Sequence, residues 1–305
     1  MIRRHPILFS IVLAGLFVGF LSTVFFCIYF FFSDSDSRPF NGDQVAIVPI
    51  IGAIFDSSDT LKKLEHLRKD DLVKAIVLRI DSPGGAVAPS QEIFEEVKKI
   101  KSEKKIVVVS MGTLAASGGY YIAVAANKIL ANPGTITGSI GVIMEDFDLQ
   151  GLLKWAHLDS RVLKSGKFKD VGSPFRSMTA EEKTFLQNVL DNMYNQFKQA
   201  VSIERAIPLA KIDSLAEGKI YTGEQALQLG LIDGIGNLYD AIDEAKKLAK
   251  LPEDTHVTWP KEKSSPLDFL TGSASSDDLL QTLSKKYLSN VRLPVWIFST
   301  QEVSF

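Results

Sequence analysis

The sequence predicts an α/β protein with a mostly parallel sheet flanked by helices, preceded by one N-terminal transmembrane helix. Two kinds of segment carry the first part of that expectation. Short runs rich in β-branched residues, "VKAIVLRID" and "IVVVSMG", read as buried strands, and they alternate with amphipathic stretches such as "PSQEIFEEVKKIK" at helical period. Such alternation places helices on the faces of a largely parallel sheet. The membrane helix rests on residues 7–32, which carry no charge and are rich in Leu, Phe, Ile and Val. About 20 such residues span the hydrocarbon core, so this run suffices for one tilted helix.

Residues 1–32 therefore read as a cytoplasmic stub and an anchor. A cleaved signal peptide would have an apolar region of roughly 7 to 15 residues and an A-x-A-like end. This run has neither, and no lipobox precedes Cys27. Arg3 and Arg4 stand before the run and Asp34 and Asp36 after it, which places the N-terminus in the cytoplasm and the remainder outside. Gly15 and Gly19 form a GxxxG that either draws anchors together or is ordinary glycine in a membrane helix. With 305 residues, 46% of them apolar, the chain can bury one large core or two small ones. A net charge of -2 gives no global attraction to nucleic acid, and the single cysteine excludes disulfides and cysteine-built zinc sites within one chain.

Residues 33–44 form a polar linker and residues 45–251 the compact region. In order, "QVAIVPIIGAIF" reads as a strand pair or one long bent strand, and "TLKKLEHLRK" as a helix before the first buried strand. After "IVVVSMG", helix, strand, helix, strand continue through "YYIAVAANK", "GVIMEDFD", "LQGLLKWA" and "RVLKSG". A long helix over about residues 179–205 follows, with a TxxE capping box at Thr179 and Glu182. Its apolar stripe, Phe185, Val189, Met193, Phe197 and Val201, suits either a subunit interface or packing on its own domain. "YTGEQALQLGLIDGIG" and "LYDAIDEAKKLAK" close the region. Residues 252–305, with "KEKSSP" and "GSASSDD", read as a tail that is partly ordered. The soluble part contains no internal repeat.

Chemistry concentrates at strand ends. Ser117, in "TLAASGGYYIA", follows a buried strand and opens a helix, so it emerges at the carboxyl end of the sheet, where ligands of open α/β sheets bind. A helix start favours a developing anion, and Gly118 and Gly119 allow close approach of a substrate backbone. A helix N-cap before a glycine pair would look the same. A second turn, "RIDSPGGAV", ends another buried strand, and Pro83, Gly84 and Gly85 leave backbone amides free to face a ligand. Two such turns on one sheet can supply both halves of an oxyanion hole.

A serine nucleophile needs a base. Of the four histidines, His5 lies beside the anchor, His66 on a charged helix face and His256 in the tail, leaving His157 in reserve. Lysine is the other known partner, working as a neutral amine. "RVLKSGKFKDVGSPF" offers Lys164, Lys167 and Lys169, each of which also suits a solvated charge.

Taken in order, "DSPGG", "SGGYYIA", "TITGSIGVI", "KSGKFKD" and "IYTGEQALQLGLIDGIG" resemble the signal peptide peptidase A family of membrane-anchored Ser/Lys proteases, relatives of the ClpP and crotonase superfamily. The resemblance covers about residues 45–251 and implies a ClpP/crotonase-like core. It implies Ser117 as nucleophile, Lys169 as general base and Ser139 as the residue that positions the base. The oxyanion hole would take the amide of Gly118 with that of Gly84 or Gly85. No cofactor or metal is implied, and activity should favour neutral to alkaline pH, because the base must be deprotonated.

By the same resemblance, a single-length chain implies a homo-oligomer whose active sites combine Ser and Lys from neighbouring subunits. The implied substrates are cleaved signal peptides and other apolar peptides at the extracytoplasmic face of the plasma (inner) membrane, with a single-pass anchor. Three other readings stay open: a membrane-protein quality-control protease of the same mechanism, a crotonase-like acyl-CoA enzyme, and a catalytically silent scaffold.

Overall fold

The structure is a computed structural model. It describes residues 42–259, together with 13, 15–23 and 25 near the N-terminus. The described N-terminal positions are helical, and Leu16, Phe17, Val18 and Phe20 are exposed. Among the described residues no helix is long and apolar enough to cross a membrane. The rest of the expected anchor, Cys27, most of the linker and the tail from residue 260 onward lie outside the described residues.

Eight strands form one sheet. β1 (Gln44–Ile51), β2 (Val73–Ser82) and β3 (Ile106–Ala116) run parallel at its centre, and β8 (His256–Thr258) adds in parallel beside β1. β8 lies beyond Leu251, where the periodic pattern in the sequence ends. On its other side β3 pairs in succession with β4 (Lys128–Ala131) and then β5 (Ile136–Gly138), both parallel. β6 (Ile220–Thr222) is antiparallel to β5, and β7 (Gly234–Ile235) is parallel to β4. The "QVAIVPIIGAIF" stretch is one strand followed by a single bridge from Ile54 to Gly85.

Both sheet faces are covered, which is why β1 to β3 are apolar along their length. Val48, Ile76, Leu78 and Val109 face one core with Leu64 and Leu67 of α1 (Ser58–Lys69) and Ile93 and Val97 of α2 (Val87–Ser102). Val45, Ile47, Val77 and Val108 face the other, beneath Ala241, Ile242 and Ala245 of α8 (Leu238–Leu248). Each fully buried Ile or Leu contributes about 1.5–3 kcal/mol.

α3 (Gly118–Ala123) springs directly from β3, α4 (Gln150–Trp155) lies in a long irregular segment, and α5 (Ala180–Glu204) begins at the Thr179–Glu182 capping box. α6 (Leu209–Leu215) and α7 (Gly223–Leu229) follow, with a second box at Thr222 and Gln225. The α5 stripe divides: Phe197 and Val201 are buried on their own domain, whereas Phe185 and Val189 are exposed.

Two expected strands are absent. "GVIMEDFD" and "RVLKSG" have a strand-like composition, yet no ladder partner reaches them among the described residues, and residues 141–149 and 161–164 form no regular element. A strand needs a neighbour to satisfy its amides and carbonyls. Their apolar side chains are instead exposed, including Ile143, Phe147, Val162 and Leu163.

Tyr120 anchors α3 under the sheet. Its side chain is fully buried and its hydroxyl donates to the Leu231 carbonyl at 2.8 Å. Tyr120→Phe leaves that carbonyl unpaired, so thermal unfolding should show a loss of about 1–2 kcal/mol, with a lower midpoint and an unchanged fold.

Candidate active site

β3 delivers Ser117. The strand breaks step with β2 near its end: Ile80 pairs with Met111 but Ser82 with Ala115, so Asp81 alone faces Gly112, Thr113 and Leu114. Beyond this bulge β3 pairs with β5 instead of β4, and it ends at Ala116, immediately before Ser117. Ser117 sits at φ 52°, ψ -121°, a strained conformation for a residue with a Cβ, and its side chain caps nothing. An N-cap serine would place its oxygen on the amides of the first helical turn. This one leaves its hydroxyl at the mouth of a cleft.

The Pro83 turn meets that corner backbone to backbone. A Cβ on Gly84 would lie 2.5 Å from the Gly118 nitrogen, and one on Gly118 would lie 2.4 Å from Ser90 Oγ and 3.3 Å from the Gly85 nitrogen. Gly84 also has φ +95°, and Gly85 is pressed against the Ile54 backbone. Glycine is therefore required at positions 84 and 85, and at position 118 any side chain would have to displace the Ser90 hydroxyl and crowd the glycine turn. The two glycines of the turn differ in what their amides do. Gly84 N–H donates to Ser82 Oγ at 3.1 Å. Gly85 N–H and Gly118 N–H donate to no other group among the described residues, and they lie side by side.

Ser139 stands next to Ser117. The parallel register of β3 with β5 ends at Ala116 opposite Gly138, and Ser117 N–H donates to the Gly138 carbonyl at 2.9 Å. One step further places Ser139 beside Ser117. Ser139 too has a positive φ, 52°, and its amide donates to the Lys219 carbonyl at 2.7 Å.

The cleft before Ser117 is lined by Val87, Ser90 and Gln91 of α2, Tyr121 of α3, Val142, and Met193 and Phe197 of α5. Tyr121 packs edge-on against Phe197 with ring centres 4.9 Å apart. Burial raises the Tyr121 phenol above its ordinary value, so it stays protonated. Sequence reasoning missed Gln91 and Tyr121; the α5 stripe, which contains Met193 and Phe197, was the signal for the other wall.

Lys169 is not in this cleft. It lies in the long segment between β5 and α5, exposed, and its side chain engages no group among the described residues. Both of its neighbours are fixed. Phe168 stacks on Phe185 of α5 at 5.0 Å. Asp170 accepts from Arg176 Nε at 2.9 Å and from Lys164 Nζ at 2.5 Å. Arg176 also donates to both oxygens of Glu182, at 2.8 and 2.5 Å, while Glu182 completes the α5 capping box. Lys164 is thus committed to Asp170, and Lys167 pairs with Glu181. His157 is exposed and outside the cleft, as is His66. Among the described residues no group of three or more His, Cys, Asp or Glu could hold a metal ion.

Arg176 holds the Asp170 carboxyl well below its ordinary range and brings Glu182 from 4.5 to about 2. Because both values are depressed on folding, the network stabilises the segment above about pH 4.5 and loses that contribution as pH falls towards 2. The protection factors of residues 164–182 against hydrogen exchange, taken relative to the intrinsic amide rate at each pH, should therefore be high at neutral pH and fall through that window. In Arg176→Ala they should be low throughout and nearly independent of pH.

Similarity to known proteins identifies the family. The Clp protease profile matches residues 45–135, the half carrying the glycine turn and Ser117, and the Peptidase family S49 profile matches residues 99–252. A Synechocystis protein with the provisional name of protease is 40% identical over 267 residues, covering 84% of this chain and 96% of that one. The chloroplastic serine protease SPPA of Arabidopsis thaliana is 34% identical over 77% of this chain and 37% of its own length. Protease 4 of Salmonella typhi is 34% identical over 76% and 39% respectively. With its parallel sheet, its serine corner and these matches, the chain belongs to peptidase family S49, the signal peptide peptidase A family, and is a serine protease.

Proposed function

We propose that the chain is a membrane-anchored endopeptidase in which Ser117 attacks the scissile carbonyl and Lys169 of a neighbouring copy acts as base. The observation that carries this reading is the juxtaposition of an uncapped, strained Ser117 with the two unengaged amides of Gly85 and Gly118. Neutral Lys169 takes the hydroxyl proton as Oγ bonds to the carbonyl carbon, and the amides of Gly85 and Gly118 hold the oxyanion. Collapse breaks the C–N bond, with the lysine proton passing to the leaving amine. Water then attacks the acyl-enzyme, giving its proton to Lys169, which passes it to Ser117 Oγ as the ester C–O bond breaks, releasing the acid and restoring the hydroxyl and the neutral amine. Ser139, beside Ser117, orients the incoming amine.

Sharing between copies is supported by the segment that bears Lys169. It exposes Ile143, Met144, Phe147, Trp155 and Leu163, a concentration of large apolar side chains in one segment of the kind that marks an interaction surface. A neighbour that covers this surface would also receive the lysine.

Peptide substrates suit the cleft. Residues 141–145 form no backbone hydrogen bond among the described residues, so an extended chain can pair with them. Val87, Val142, Met193 and Phe197 give apolar walls. Remnant signal peptides have the matching chemistry. The exposed apolar side chains of the described N-terminal helix, with Arg3 and Arg4 before the apolar run and Asp34 and Asp36 after it, support a single-pass inner-membrane anchor with the catalytic domain outside. Family membership sets the acyl-CoA reading aside.

The test uses the full-length chain and a fluorogenic apolar peptide. Ser117→Ala and Lys169→Ala should each lose turnover, and co-expressing the two should restore activity at roughly one site in four, by random pairing across a head-to-tail interface. Inactive single variants with no restoration would place both residues in one subunit. Full turnover in either variant would remove that residue from the mechanism.

A further inference from the structure

We propose that Asp81 is a positioning residue for Ser117, acting as the acceptor that fixes the β3 bulge; this rests on the reading of Ser117 as nucleophile. The carboxylate occupies the gap opened when β3 gains two residues on β2. Asp81 Oδ1 accepts the Leu114 N–H at 3.1 Å, the amide that would otherwise lack a partner where the ladder is broken. Its carboxylate lies where a Gly112 side chain would be, with Cγ and Oδ2 each 2.8 Å from an ideal Cβ. The main-chain carbonyl of Asp81 accepts the Gly52 N–H at 2.9 Å, tying the end of β1 to the same point. Thr135 Oγ1 donates to the Gly112 carbonyl at 2.7 Å from the opposite side.

The consequence falls on the three residues after Leu114. Only with the bulge in place do Ala115 and Ala116 pair with Thr137 and Gly138. That pairing sets Ser117 beside Ser139 and brings Gly118 against Gly84 and Gly85. Bulges re-aim the residues that follow them, and this one is held by an acceptor rather than by a charge. Asparagine retains that acceptor oxygen and alanine does not. The carboxylate does not line the cleft and its hydrogen bond goes to the Leu114 amide, so its influence on catalysis is geometric.

Steady-state kinetics of full-length wild type, Asp81→Asn, Asp81→Ala and Ser117→Ala on one peptide test this. Asp81→Ala should lose on the order of 10²-fold in kcat with little change in KM, the signature of a displaced nucleophile. Asp81→Asn should recover most of the rate. Gly112→Ala, whose Cβ would push the carboxylate from its place, should lose kcat with Asp81 intact, and it decides the matter should Asp81→Ala fail to fold. Wild-type kcat in Asp81→Ala or in folded Gly112→Ala overturns the proposal, as does an Asp81→Asn as impaired as Asp81→Ala. Activity in Ser117→Ala would instead sink the nucleophile reading, while an inactive Ser117→Ala beside an active Asp81→Ala would sink this inference alone.

Discussion

The turn after β2 and the corner after β3 approach until backbone meets backbone, with no side chain between Gly84 and Gly118. Almost everything distinctive about the site depends on that distance. It makes glycine obligatory in the turn and, with the Gly84 amide committed to Ser82 inside that turn, leaves the Gly85 and Gly118 amides together beside one hydroxyl. A methyl group on Gly84 or Gly85 would have to displace main chain, which is far harder to move than a surface side chain, and one on Gly118 would have to displace the buried Ser90 hydroxyl.

Two devices hold the approach in place. The sheet core fixes β1, β2 and β3 in parallel register with apolar side chains on both faces, so the strand ends arrive at one edge. The bulge opposite Asp81 then carries β3 from β4 onto β5 and turns the final residues towards the glycine turn. The lysine segment is built differently. It has few buried apolar contacts and is secured by charge and stacking: Asp170, Arg176 and Glu182 on one side of Lys169, Phe168 on Phe185 on the other. Such a segment keeps its shape near the lysine while exposing apolar surface further along.

The α/β class was legible because strands covered on both faces must be apolar throughout, and because Thr179 with Glu182 announces a helix start. Ser117, Gly84, Gly85 and Gly118 were legible as strand-end residues, since only a close approach or a positive φ gives a reason for so many glycines at two corners. That the Gly84 amide is engaged while the Gly85 amide is not was hidden, because it depends on where the Ser82 hydroxyl points. So was Asp81, whose role exists only once two strands fall out of step. "GVIMEDFD" and "RVLKSG" misled because composition reports what a strand would bury and says nothing about whether a neighbour exists to pair with it. The α5 stripe was ambiguous for a related reason: Phe197 and Val201 are buried on their own domain and Met193 lines the cleft, whereas Phe185, stacked on Phe168, and Val189 stay exposed.

The central claim is that Ser117 is acylated while the amides of Gly85 and Gly118 hold the oxyanion. A crystal structure of the full-length protein after reaction with a fluorophosphonate tests it most directly. The account predicts phosphorus bonded to Ser117 Oγ, with one phosphonyl oxygen about 2.7–3.1 Å from both the Gly85 and Gly118 nitrogens. Phosphorus on another residue, or an oxygen turned away from those two amides, would contradict it.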